Sequence, residues 1–124
     1  MNIDDLTIGQ AKELAKQFGD KNNEPESYLL GQYVIVRSGQ SGVHAGFLTQ
    51  RHNRLVVLKE SRRLWYWEAK KEHTLSAVAL HGLGDGSKIA AALPMIEILD
   101  ACEIILVSGD AMRSIQGFAS YEPS

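Results

Sequence analysis

Only one cysteine, Cys102, stands in the 124 residues, so no internal disulfide can staple this chain. It sits in the apolar run "ACEIILV", where a reduced, buried thiol is expected, and nothing beside it in sequence would lower its pKa for catalysis. No apolar run approaches the roughly 20 residues of a membrane helix, so no membrane partner is expected. The opening "MNIDDLTIGQ" has no basic segment ahead of an apolar one, and no signal peptide is expected. The expected compartment is cytoplasm.

Catalytic and cofactor signatures are scarce as well. His44, His52, His73 and His81 include no two within four residues of each other, which excludes a local metal-binding motif, and no metal or cofactor is expected. "GLGDGSK" gathers Gly82, Gly84, Gly86, Ser87 and Lys88, but a phosphate loop has Lys before Ser/Thr and leads into a helix. Here Ser87 precedes Lys88 and a β-like stretch follows, so the segment reads as a turn able to offer both side chains to an anion. No nucleophile elbow and no paired acidic motif is present. The expectation is a protein that is not an enzyme.

What is present is enough apolar sequence for one folded domain, at 44% hydrophobic and 23% charged residues. The net charge of −2 hides an asymmetry: residues 37–88 hold nine Lys/Arg against four Asp/Glu, and both flanks are acidic. A basic middle between acidic ends suits a local anion site better than a duplex-DNA surface, which needs a broad positive face. A solvated basic face is the competing reading.

The periodicity predicts an α+β fold. Thr7 with Gln10 is a capping-box pattern, and Ile8, Ala11, Leu14, Ala15 and Phe18 share one helical face, so a helix is expected over 8–18, stopped by Gly19. Short strands are expected at 33–37, 44–50, 54–60 and 62–67, with His52-Asn53 in a tight turn. "IAAALPMIEIL" and "CEIILVS" read as two more, Pro94 marking an edge or bulge. Thr74 caps a short helical turn through Leu80; Ser108 caps a last helix ended by Gly117, and "FASYEPS" is left as a loose tail. The expected architecture is a curved, small barrel-like antiparallel sheet with an N-terminal and a short C-terminal helix. Its single domain, 1–124, divides into an N-terminal helix and loop (1–27), a β-rich core (28–108), and a short helix with tail (109–124).

Two stretches carry candidate site residues. "VRSGQSGVHAG" (36–46) must reverse the chain between two strands, and Arg37, Ser41, Gly42 and His44 lie in or beside that loop. A glycine-rich turn can cradle an anion or simply bend, and for His44 a hydrogen bond to local backbone is the competing role. In "RRLWYW", a strand puts Arg63, Trp65 and Trp67 on one face and Arg62, Leu64 and Tyr66 on the other. A guanidinium beside indole can bind phosphate and stack a base. Taken singly, Trp65 and Trp67 are expected in the core and the arginines exposed or carboxylate-paired; the combination is what suggests a site.

Together these segments resemble a family of short uncharacterised proteins of tailed phages and prophages. The resemblance rests on Val34–Arg37, Ser41–His44, Gly46, Arg62, Arg63, Trp65, Trp67, Thr74, Leu75, Ala79, Gly82, Ser87 and Glu103-Ile104, across residues 28–110. Gly42, Ala45 and Ser61 depart from the family pattern. The resemblance implies phage origin and action in the host cytoplasm, and no settled activity.

The expected function is binding of a small anionic ligand such as a cyclic nucleotide, most concretely as a sponge for a host nucleotide immune signal. Arg37, Arg62, Arg63 and Lys88 would pair phosphates, Trp65 or Trp67 would stack a base, and loop 38–43 with Ser87 would add hydrogen bonds. Such pockets often lie between identical subunits, so a homo-oligomer is expected. The alternative is a virion accessory or host-protein interaction module in which Trp65, Tyr66 and the arginines form the contact. Single-stranded nucleic acid is a third, weaker alternative, disfavoured by the net negative charge.

Overall fold

The computed structural model describes residues 27–122; the helix expected over 8–18 lies outside them. Six strands and two helices follow: β1 (Tyr33–Ser38), β2 (Gly42–His52), β3 (Leu55–Tyr66), α1 (Leu75–His81), β4 (Lys88–Ile89), β5 (Leu93–Ile98), β6 (Ala101–Leu106) and α2 (Gly109–Gly117). All pairings are antiparallel, so the α+β reading with a curved antiparallel sheet holds for the described part.

β3 organises the sheet. The two strands expected at 54–60 and 62–67 are one 12-residue strand, and the stretch expected as one strand around Pro94 is two, β4 and β5. Both pair with the same side of β3: β5 with its first half, β4 with its last residues. On the other side lie β2, then β1, then β6. Pro94 falls on β5, whose only strand partner among the described residues is β3, so its missing N–H costs no ladder bond.

Two bulges bend the long β2–β3 pair. One leaves an extra residue on β3 opposite Gly46, with Glu60 at φ 52; the other leaves Thr49 extra on β2. At the first bulge the strands come so close that a Cβ on Gly46 would lie 2.8 Å from the Lys59 carbonyl oxygen. Bending explains why both sheet faces are apolar. Val34, Val36, Leu48, Val56, Leu58, Ile98 and Ala101 form one buried cluster, although β5 and β6 lie at opposite ends of the hydrogen-bonded order. The sheet therefore curls around this cluster without closing.

The other face packs Tyr33, Ile35, Ala45, Leu64 and Ile89 against Val78 and Ala79 of α1 and Ala111 and Ile115 of α2. Each helix has its hydroxyl cap. Thr74 Oγ1 accepts from the Ala77 amide and Ser108 Oγ from the Ala111 amide, both at 3.0 Å. No helix among the described residues is long and apolar enough to cross a membrane.

Two burial expectations are corrected. Cys102 is exposed, its Sγ donating to the Arg37 carbonyl, because among the described residues β6 pairs only with β1 and an apolar run on such an edge is not enclosed. Trp65 is 54% exposed, because β2 pairing ends at Leu64 and, among the described residues, only the Tyr121 ring and Lys88 reach it. Trp67 follows β3 and is half-buried against the helix-side core.

Candidate functional site

The residues singled out from sequence divide into three groups. Arg62 belongs to the first and is 5% exposed. Its Nε donates to the Ala90 carbonyl at 2.8 Å, and its Nη1 to the carbonyls of Ile115 (2.8 Å), Gln116 (3.3 Å) and Phe118 (2.6 Å). Nη2 donates to Ser120 Oγ at 3.1 Å. A cation at the carbonyl end of α2 opposes the helix dipole while satisfying orphan acceptors. The guanidinium is thereby committed to the chain itself. Ser87 is committed too: its Oγ accepts from the Glu68 amide at 2.9 Å and donates to the Glu68 carbonyl at 3.2 Å. Arg37 is half-exposed and pairs with Glu103 at 2.6 Å.

Because Arg62 holds residues 115–120, the tail expected to be loose is not loose through Glu122. The Tyr121 amide donates to the Ile89 carbonyl at 2.9 Å, and its ring meets Trp65 edge-to-face at 5.2 Å. This makes the second group. Lys88 Nζ lies 5.1 Å from the Tyr121 ring, 5.6 Å from Trp65 and 5.8 Å from Tyr66. Trp65, Tyr66 and Tyr121 are 54%, 47% and 41% exposed, so one ammonium steadies three rings that still face solvent. Tyr66 donates its hydroxyl to Glu68, which raises its pKa.

The third group is the turn between β1 and β2. Gly42 sits at φ 91, a conformation the turn requires and glycine supplies without strain. Ser38 Oγ donates to Asp100 and accepts from the Gln40 and Ser41 amides, tying the turn to the β5–β6 connection. This hydroxyl holds the Asp100 carboxyl below its ordinary range. Ser41 Oγ and His44 Nε2 are 2.9 Å apart. His44 is fully buried, and burial, with Arg63 nearby, lowers its pKa to about 4. Its Nδ1 has no hydrogen-bond partner among the described residues. A bare buried acceptor costs less than a bare N–H, which favours the proton on Nε2, donated to Ser41. Asp100 bonds Ser38 rather than His44, so Ser41, His44 and Asp100 are not wired as a proton-relay triad.

Arg63 pairs with His44 across the β2–β3 ladder. Its guanidinium is exposed and makes no hydrogen bond or ion pair with another described residue. With Gln40, Ser41 and Ile96 to Asp100 it lines a cavity of about 370 Å³. The chemistry available there is one free guanidinium, the turn's polar groups, and two carboxylates, Glu97 and Asp100, on the facing wall. Among the described residues no group of three His, Cys, Asp or Glu could hold a metal ion.

The fold thus brings Ser41, Gly42, His44 and Arg63 together and sets Trp65 with Lys88 next to them along β3. Arg37, Arg62, Trp67 and Ser87 are drawn into other contacts. Gln40 enters as part of the 38–43 loop, and Tyr121 enters without having been singled out. Nothing in local spacing points to Tyr121, since its place depends on Arg62, 59 positions earlier.

The family model of a domain of unknown function (DUF6948) matches residues 31–115 of this chain. No curated protein and no solved structure matches it.

Proposed function

The chain belongs to the DUF6948 family, and from the groups it displays we propose a non-enzymatic binding protein for a small anionic ligand of the nucleotide kind. One observation carries the reading: Arg63, with no hydrogen bond or ion pair to another described residue, borders a cavity two residues before exposed Trp65 on β3. Residues i and i+2 of a strand stand roughly 7 Å apart, a span that one nucleotide bridges between base and phosphate. Arg63 takes the phosphate through a charge-assisted fork, and Ser41 and Gln40 add polar contacts. The base lies against Trp65 and Tyr121, where stacking contributes about 1–3 kcal/mol. Glu97 and Asp100 repel additional negative charge and accept from ligand hydroxyl or amino groups, so a single phosphate suits the site better than several.

In its most specific form the proposal is a phage-encoded sponge that sequesters a host nucleotide signal in the host cytoplasm, with two or more copies completing the pocket. Calorimetry against a panel of linear and cyclic mononucleotides tests it. At least one ligand is expected to bind more tightly than ~100 μM, and Arg63→Ala to weaken it by roughly tenfold or more. Arg37→Ala is expected to change little, since Arg37 is paired with Glu103. Absence of any such ligand, or unchanged affinity in Arg63→Ala, defeats the proposal.

A second reading has its own observation, the exposed cluster of Trp65, Tyr66 and Tyr121, residue types enriched at protein-contact hot spots. It makes the chain an accessory or host-protein interaction module. Trp65→Ala would then abolish capture of a host or virion protein while nucleotides bind neither form.

A further inference from the structure

A second cavity lies away from the Arg63 group, bounded by α1, α2 and the segment after β3. It measures about 530 Å³ and is lined by Lys70, Lys71, Leu80, His81, Asp110, Arg113 and Ser114. Backbone contacts fix its walls. The Lys70 amide donates to the Gly82 carbonyl at 3.3 Å, and the Leu83 amide to Ser114 Oγ at 3.0 Å. Gly82, at φ 98, lets α2 approach so closely that a Cβ there would lie 2.7 Å from the Ser114 side chain.

The charge in this groove is out of proportion to the protein. Three cations and an imidazole face one carboxylate, Asp110, in a chain of net charge −2. Asp110 already accepts from Arg113 one turn along α2. Lys70 and Lys71 are exposed, and their ammonium groups make no hydrogen bond or ion pair with other described residues.

Basic side chains beside a helix C-terminus often serve its free carbonyls. At α1 three of the last four carbonyls are already served. The Val78 carbonyl accepts from the Gly82 amide, Ala79 from the Ser108 amide, and Leu80 from Ser108 Oγ. The lysines make no contact with the α1 carbonyls, so their charge is unmatched among the described residues.

We propose that this groove is an anion site for a compact group carrying two or more negative charges, of the diphosphate class. Cations clustered along one concave groove concentrate positive potential, and their N–H groups can donate to one anion. Among the described residues no Phe, Tyr or Trp lines the groove, so its recognition rests on charge. The inference is independent of the nucleotide reading, because Arg63 and Trp65 lie elsewhere.

Titration with inorganic pyrophosphate at low ionic strength, followed by calorimetry or amide chemical shifts, tests it on the whole chain. The expected result is saturable binding that weakens at least roughly tenfold in Lys70→Gln/Lys71→Gln, and separately in Arg113→Gln. Arg63→Ala is expected to leave it unchanged. These positions are exposed, and thermal melts check that each variant is folded. A nucleoside triphosphate arm separates the sources of phosphate: displacement of pyrophosphate from the groove shows that phosphate on a nucleotide is accepted, and failure to displace shows that the free ion is preferred. Either result supports the site. No pyrophosphate binding up to millimolar concentration, equal affinity in the variants, or loss in Arg63→Ala overturns it.

Discussion

Replacing Arg62 with alanine is expected to lower the stability of the fold by about 3–5 kcal/mol, read from urea unfolding. Five donor contacts disappear at once, to the carbonyls of Ala90, Ile115, Gln116 and Phe118 and to Ser120 Oγ. Each contact is charge-assisted, and such bonds contribute more than neutral ones. The loss stays below a simple sum because the freed C-terminal segment can move into water and satisfy its own carbonyls. That relief has a consequence at the surface. Once residues 115–120 are released, Tyr121 leaves Trp65, and Trp65 emission should shift in the folded protein. Arg62→Lys keeps the charge but cannot span the acceptors with one planar fork, so it is expected to recover less than half of the loss. A cost under about 1 kcal/mol for Arg62→Ala would show that this network does not hold the C-terminal segment.

Acid should begin to destabilise the protein above the pH at which ordinary carboxylates take up protons. His44 has a folded pKa of about 4 against an ordinary 6.5, because burial and Arg63 disfavour its charged form. Above pH 6.5 the ring is neutral in both states, and its contribution to stability is fully present. Between 6.5 and about 4 the unfolded chain takes up a proton that the folded chain refuses, so stability falls as pH falls. Below about 4 both states are protonated and the loss levels off at roughly 3 kcal/mol. Asp100, the carboxylate facing this turn, is held below its ordinary range by Ser38 and keeps its charge through the window. Urea unfolding at closely spaced pH values measures the slope. His44→Gln can still bond Ser41 but cannot titrate there, and it should flatten the curve between pH 6.5 and 4. An equal slope in wild type and His44→Gln would assign the acid sensitivity to other groups.

Much of the fold was legible because its signals are local. β-branched runs marked the strands, Thr74 and Ser108 marked the helix starts, and the glycine-rich 36–46 stretch had to be a reversal between strands. Errors came where a partner far along the chain sets the outcome. The bulge opposite Gly46 lets β3 run on through Glu60 and Ser61, so two expected strands are one. An apolar run holding Cys102 reads as interior until the sheet order leaves β6 at an edge. Trp65 has the composition of a core residue, but it lies where β2 has already ended.

The candidate site divides in the same way. By itself the sequence determined which groups could do chemistry: a guanidinium pair, two indoles, a basic middle, and a turn that only glycine can make. Only the tertiary structure decided which of them are free. Arg62 and Arg63 are adjacent and chemically identical, yet strand alternation sends one side chain into the carbonyl end of α2 and the other to a cavity rim. Lys70 and Lys71 are neighbours in sequence, and only the packing of α1 with α2 sets them along one groove with Arg113. A side chain's chemistry is written in its own atoms. Whether that chemistry is available depends on acceptors that only the folded chain brings within about 3 Å.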